Sequence, residues 1–281
     1  MDLETTSTRL VTALDGGTLV VHTTGDRRDA GPGIVLVHGG GVTIDVYGRL
    51  AVRLAAAELT VHRYNRRGRG DAPPRPEPYT VEAEVDDLAA VLAATGSRRV
   101  LGHSSGGFIA LTAALRLPID RLALYDAAVS VDGSFPLAWL DTAREAARSG
   151  ALARSLAITS GGINTHSSAA RLPLGVRTAL CRAFLRTSIG RTMGELLPST
   201  LDESEQVRRA DGPADRWSGV TADVLLAYGT AGPPYYRTTN EALARALPHA
   251  RVLSIDRSGH DGINRAPDRV VAPLAAFLAG R

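Results

Sequence analysis

Ser104 stands in Gly102-His103-Ser104-Ser105-Gly106-Gly107, between Arg99-Val100-Leu101, which reads as the end of a strand, and Phe108-Ile109-Ala110-Leu111, which begins an apolar helix. A serine flanked by glycines at such a turn is held with its hydroxyl projecting, because strand and helix leave no room for a Cβ beside it. The chemistry on offer is nucleophilic attack. A serine hydroxyl attacks only when a base takes its proton, so a histidine must come within hydrogen-bond reach. Of the seven histidines, His260 in Ser258-Gly259-His260-Asp261-Gly262 is best placed, in a loop between the last strand and the terminal helix. His38 and His103 stand beside glycines and read as braces for their loops. His22, His62, His166 and His249 fall in strands, among the later helices or at the surface.

An imidazole that must become imidazolium needs a carboxylate on its other ring nitrogen. The loop after Val224 to Tyr228 is the usual source, yet it reads Gly229-Thr230-Ala231-Gly232-Pro233-Pro234 and holds no acid. Tyr125-Asp126-Ala127-Ala128, at the preceding strand's end, offers Asp126 instead, with Asp132 as second choice. Asp256 and Asp261 lie too near His260 in sequence to reach its far side. Negative charge developing on a substrate oxygen needs donors already in place; the backbone N–H groups of Ser105 and Gly40 can supply them, with Gly41 as the neighbouring candidate. Gly39-Gly40-Gly41 does not read as a phosphate cradle, for it lacks both a G-K-[ST] element and a G-x-G-x-x-G pattern. No metal ligand set or cofactor motif is visible, and the expected partner is a small-molecule substrate.

These residues need a scaffold. Thr8 to Ala13 and Thr18 to His22 read as strands joined at Asp15-Gly16-Gly17, a hairpin signal. Gly31-Pro32-Gly33 leads into Ile34-Val35-Leu36-Val37, a β-branched run suited to a strand buried on both faces. Helix is predicted around Tyr47 to Ala57, then strand over Leu59 to Tyr64, ending in Asn65-Arg66-Arg67-Gly68-Arg69-Gly70-Asp71 and an exposed loop marked by Pro73, Pro74 and Pro76. Val81 to Thr95 is amphipathic, with Val85, Leu88, Val91 and Leu92 on one face and Glu82, Glu84, Asp86 and Asp87 near its start. Arg121 to Tyr125 is the next strand. Strands alternating with helices imply an α/β fold with a parallel, doubly wound sheet, its functional loops at the strands' carboxyl ends.

From about Gly133 to Trp217 only helical patterns occur (Leu137 to Arg148, Gly175 to Leu185, Glu203 to Ala210), broken at Gly161-Gly162, Pro198 and Gly212-Pro213. Residues 133–217 are therefore expected to form a helical cap inserted into a core of 1–132 and 218–281. The strand pattern returns at Val224 to Tyr228 and Val252 to Ile255, with helices over Glu241 to Leu247 and Asp268 to Leu278. The cap leucines Leu137, Leu140, Leu152, Leu156, Leu185 and Leu197 suit either a pocket roof or packing. Tyr235 and Tyr236 suit a pocket rim or the surface.

The 281 residues suffice for one large α/β domain with such an insertion. No apolar run approaches the ~20 residues of a membrane helix. Met1-Asp2-Leu3-Glu4 shows neither a basic leader nor an apolar signal, so a cytoplasmic location is expected, with no membrane partner. Cys181 is the single cysteine, which excludes an internal disulfide. Arginine is present without lysine; the arginines are scattered along the chain, the net charge is +3 and aromatics are sparse, which disfavours nucleic acid.

Taken together, His38-Gly39-Gly40-Gly41, Asn65-Arg66-Arg67-Gly68-Arg69-Gly70, the Ser104 turn and Ser258-Gly259-His260-Asp261 resemble the α/β-hydrolase family in order and spacing, from Ile34 to Leu278. The resemblance is to a small branch common in actinobacteria that includes esterases, lactonases and tailoring enzymes of secondary metabolism. It implies Ser104 as nucleophile, His260 as base and Gly40 with Ser105 as oxyanion hole. Asn65 departs from the aspartate that usually opens its motif, a mainly structural position. The acid missing at Gly232 is a second departure. Fungal lactonases of the zearalenone-degrading kind place the acid after the earlier strand, as Asp126 would be. The expected function is hydrolysis of an ester, lactone or thioester through an acyl-serine. Halide or epoxide opening would need an aspartate at the turn. The alternative is a lyase, natural-product cyclase or ligand-binding protein on the same scaffold.

Overall fold

The computed structural model describes residues 7–25 and 33–281. The Met1-Asp2-Leu3-Glu4 start and the Gly31-Pro32 strand entry lie outside the described residues. Among the described residues one eight-stranded sheet runs in the order β1 (Ser7–Thr12), β2 (Thr18–Thr24), β4 (Val61–Tyr64), β3 (Ile34–Val37), β5 (Arg99–His103), β6 (Arg121–Tyr125), β7 (Asp223–Gly229), β8 (Ala250–Ile255). β1 and β2 pair antiparallel and β2 meets β4 antiparallel; every pairing from β4 to β8 is parallel. The expected doubly wound α/β architecture is the one observed.

Alternation along each strand divides the core between the two sheet faces. Val35, Val37, Val100, Leu122, Leu124, Val224 and Leu226 face α2 (Val81–Thr95), α3 (Ser105–Ala114) and α9 (Tyr235–Ala246). Ile34, Leu36, Leu101, Ala123, Leu225 and Ala227 face α1 (Gly48–Ala56), α10 (Gly262–Arg265) and α11 (Asp268–Ala279). Helix α2 buries the expected Val85, Leu88, Val91 and Leu92 and stops at Gly96 in a left-handed cap, φ 69°. Between β6 and β7 run α4 (Leu140–Arg148), α5 (Leu152–Ile163), α6 (Leu174–Phe184), α7 (Ser188–Glu195) and α8 (Leu197–Arg209). They share a smaller core of Leu140, Ala143, Leu156, Ile158, Leu197 and Leu201. No helix among the described residues is long and apolar enough to cross a membrane.

Several local expectations are corrected. Gly161-Gly162 does not break the chain; both lie within α5, where a Cβ on Gly162 would press into the Trp139 ring and one on Gly161 into the Arg177 guanidinium. Glycine there serves close approach. Pro198 likewise sits in the first turn of α8, where its missing N–H costs no hydrogen bond, and the helix begins before Glu203. Helix α9 begins at Tyr235 rather than Glu241, and its two tyrosines are neither rim nor surface but buried, 8% and 1% exposed. Glu84 and Asp87 do more than favour a helix start, for both are buried in α2 against Arg66 and Arg67.

The turn between β5 and α3 depends on close approach. Gly102 lies so near the helix that a Cβ would stand 2.7 Å from Gly107 Cα, and one on Gly106 would overlap the Val37 and His38 carbonyl oxygens. Gly106→Ala is expected to lower stability by about 1–3 kcal/mol, because backbone on both sides must move. Gly175→Ala, in α6 where nothing lies within 4 Å of the added methyl, is expected to raise it by about 0.5–1 kcal/mol. Denaturant midpoints of the two variants should therefore move in opposite directions.

Candidate active site

At that turn Ser104 adopts φ 53°, ψ −125°, a strained conformation for a residue with a Cβ. Four backbone bonds hold it: Ser104 N–H donates to Tyr125 O at 3.2 Å, and Ser104 O accepts from Gly107 and Ala128 N–H, both at 2.9 Å, and from Phe108 N–H at 3.3 Å. The elbow is thus tied to the end of β6. Asp126 follows there, fully buried and also at positive φ, 43°. Its Oδ1 accepts from Gly229 N–H at 3.1 Å, and its Oδ2 lies 3.3 Å from His260 Nδ1. The ends of β6 and β8, with β7 between them, thus present the Asp126 carboxylate and the His260 ring to each other. Asp132, the second choice, is exposed and makes no contact with His260; Asp256 faces Thr230 instead. A Cβ on Gly232 would come 3.8 Å from Asp126 Oδ2, so Asp126 fills the space that an acid in the later loop would reach.

His260 is also held by a residue that sequence reading did not single out for this role. The Tyr236 ring stacks on the imidazole, 5.5 Å between centroids and 3° from parallel, and its hydroxyl lies 3.2 Å from Nδ1. With the hydrogen on Nδ1, that N–H is shared between Asp126 Oδ2 and Tyr236 Oη, and Nε2 is left as the acceptor. Ser104 and His260 line the same cavity without a hydrogen bond between them. His103 packs 4.5 Å from His260, centroid to centroid. Burial, and then the neighbouring His260, push His103 well below the usual histidine range, which keeps it neutral beside the second imidazole. His103 and His38 do brace their loops. The Tyr47 hydroxyl lies 2.6 Å from His103 Nδ1 and accepts from Gly39 N–H at 2.9 Å, while His38 Nε2 accepts from Arg66 N–H at 3.0 Å.

Gly40 and Ser105 line the cavity with Ser104. The Ser105 N–H opens α3, where helix geometry leaves it without an internal acceptor. Beneath it lies a buried charge network that the sequence did not disclose. Glu203 of α8, 3% exposed, accepts from Ser105 Oγ at 2.6 Å, lies 3.2 Å from Arg66 Nη2 and pairs with Arg69. Arg66 reaches Glu84 with two bonds, 3.1 and 2.9 Å, and His38 O with a third, 3.0 Å. Burial alone would raise the Glu203 carboxyl, but Arg66, Arg69 and the Ser105 hydroxyl outweigh it and hold it at about 2. Asn65 keeps a structural position, accepting from Ile44 N–H at 3.0 Å and donating to Asp71 at 2.8 Å.

The cavity holds about 220 Å³ and is walled by Phe135, Leu156, Ile163, Met193, Leu197 and Val207 above the polar floor. Leu156 and Leu197 thus serve both readings of the leucines, since they also belong to the core of the helical segment; Leu140 only packs, Leu152 and Leu185 pack from the margins of that core, and Leu137 packs against the larger core on the sheet. Among the described residues no cluster of three His, Cys, Asp or Glu could hold a metal ion.

Residues 34–272 match the alpha/beta hydrolase family. Over 95 residues the chain is 40% identical to the uncharacterized hydrolase YraK of Bacillus subtilis (strain 168), a match covering 32% of this chain and 35% of that protein. An alpha/beta hydrolase from Sphaerobacter thermophilus superposes with a TM-score of 0.77 at 28% identity, over 96% of this chain and 99% of that one. An enol-lactonase from Burkholderia xenovorans shares the fold at a TM-score of 0.66 and 24% identity, over 96% and 99% of the two chains. The match from Ile34 to Ala272, on a sheet of the same architecture, shows that this chain belongs to the alpha/beta hydrolase family.

Proposed function

We propose that the protein is a serine hydrolase cleaving an ester, lactone or thioester with a small apolar acyl part through an acyl-serine intermediate. Ser104 Oγ attacks the carbonyl carbon while His260 Nε2 takes its proton. Asp126 fixes the imidazole tautomer and balances the imidazolium; Tyr236 holds the ring in plane. The N–H groups of Ser105 and Gly40 receive the developing oxyanion. His260 then returns the proton to the leaving group, and water repeats the sequence to release the acid. The helices α4 to α8 act as a cap whose apolar side chains enclose the acyl part.

The observation that carries this reading is the buried Asp126 against His260 Nδ1, beside a cavity that also holds the strained Ser104. A fluorophosphonate tests it. Intact-mass measurement should find one adduct on the wild-type protein and none on Ser104→Ala. A folded wild-type protein that stays unlabelled would overturn the acyl-serine reading in favour of a lyase, cyclase or binding role.

A further inference from the structure

We propose that the leaving group of the substrate is anionic, and that an arginine-lined cavity beside His260 receives it. This rests on the acyl-serine reading and deepens it. The second cavity, about 860 Å³, adjoins the first and shares Ser160, Asn164, His260 and Asp261 with it. Scattered in sequence, Arg49, Arg177, Arg257, Arg265 and Arg269 converge on its wall, against a single carboxylate, Asp261.

Most of these guanidinium groups are uncommitted to acids. Arg257 meets Asp256 at 3.2 Å with both side chains exposed. Arg269 donates to Ser258 Oγ at 3.2 Å and to the Arg257 carbonyl at 3.3 Å, and Arg177 donates to the Ala157 carbonyl at 2.9 Å, its buried Nε having no partner. The Arg49 and Arg265 guanidinium groups have no hydrogen bond or ion pair among the described residues; the Arg265 backbone N–H donates to Asp261 O at 3.0 Å. Elsewhere Arg66, Arg67, Arg69, Arg144 and Arg208 are matched by carboxylates, while Arg154, Arg171, Arg182, Arg245 and Arg251 lack one among the described residues but line neither cavity. Lack of a carboxylate is therefore not what distinguishes the cluster. What sets it apart is convergence, largely unneutralised, on one cavity open to the base.

Position assigns the two halves of the substrate. The oxyanion donors Gly40 and Ser105 line only the inner, apolar cavity, so the acyl part lies there. As the Ser104 Oγ–carbon bond forms and the carbon–oxygen or carbon–sulfur bond breaks, the proton on His260 passes to the departing atom. That atom must lie on the His260 side, where the cavity opens among the arginines. Guanidinium groups bind carboxylate and phosphate oxygens with paired N–H donors, so either anion fits the wall.

Three butanoate esters test the proposal: that of nitrophenol, that of its ring-carboxylated analogue, and that of hydroquinone monophosphate. Wild-type kcat/KM should be at least about tenfold higher for one or both anionic esters, an advantage that shrinks in about 0.5 M salt. The arm with the larger advantage identifies carboxylate or phosphate as the favoured group. In the Arg49→Gln/Arg265→Gln double variant the anionic-to-neutral ratio should collapse, while Arg116→Gln/Arg245→Gln, an equal charge change away from the cavity, should keep it. Calorimetry with the released phenols adds a readout independent of turnover, and the anionic phenols should bind more tightly. Ser104-dependent cleavage of the neutral ester at an equal or higher rate, or equal binding of neutral and anionic phenols, would overturn the anionic proposal and leave the acyl-serine reading standing. A Ser104 that takes no fluorophosphonate would bring down both.

Discussion

Asp126→Asn is expected to lower kcat for ester cleavage by about 10³–10⁴-fold while leaving the thermal midpoint nearly unchanged. Asparagine keeps the volume and can still accept from Gly229 N–H, which in the native protein bonds Oδ1 at 3.1 Å. Its amide nitrogen, however, would face His260 Nδ1 where Oδ2 now stands at 3.3 Å. A donor there selects the tautomer with hydrogen on Nε2, which cannot take the Ser104 proton. The rate of fluorophosphonate labelling should fall with kcat, because both need an activated Ser104. A second step makes the result harder to mimic. Since a Cβ on Gly232 would lie 3.8 Å from Asp126 Oδ2, Gly232→Asp in the Asp126→Asn background can bring a carboxylate to the same imidazole nitrogen. Partial recovery of both rates is the expected result. A single variant with wild-type labelling and turnover would remove Asp126 from the mechanism.

What could be read from the sequence is what was locally encoded. The elbow was legible because its glycines and serine occupy one short stretch whose sterics admit few other residues, and β3 because Ile34 to Val37 are apolar without alternation. Asp126 follows by elimination, since the loop from Gly229 to Pro234 has no acid. Tyr236 carries no local sign of its role, because its partner His260 comes from another loop and only the fold stacks them. Glu203 was missed altogether. In Leu201-Asp202-Glu203-Ser204-Glu205 it reads as one of several acids on a solvated helix face, and nothing local distinguishes it from Asp202. Its burial is decided by Arg66 and Arg69, more than a hundred residues earlier, which looked like part of an exposed loop. The outer arginine cluster was equally hidden, each member unremarked in its own segment.

Glu203→Gln should be the most destabilising of the polar substitutions near the site, by about 3–5 kcal/mol at neutral pH, because it leaves two buried guanidinium groups short of an anion. That is a large part of the ~5–15 kcal/mol that holds a domain folded. The dependence on pH follows from the carboxyl itself. Its folded value of about 2 lies below the ordinary 4.5, so the folded state favours the ionised form. The stabilisation this represents is fully present above about 4.5 and is lost as pH falls through 2; the shift corresponds to about 3 kcal/mol. Asp87, which burial pushes up to about 6 despite its Arg67 partner, works the other way, destabilising the fold as pH rises between its ordinary value and 6. Comparing wild type with Glu203→Gln at each pH cancels that contribution. The gap in unfolding free energy should be widest at neutral pH, narrow below about 4.5, and nearly close at 2, where a protonated Glu203 is electrically the same as glutamine. A gap that stays constant across this range would mean that the ionised Glu203 does not balance Arg66 and Arg69. A gap that closes would establish that a carboxylate from the helical segment between β6 and β7 helps hold the sheet edge on which the elbow and its Ser105 are built.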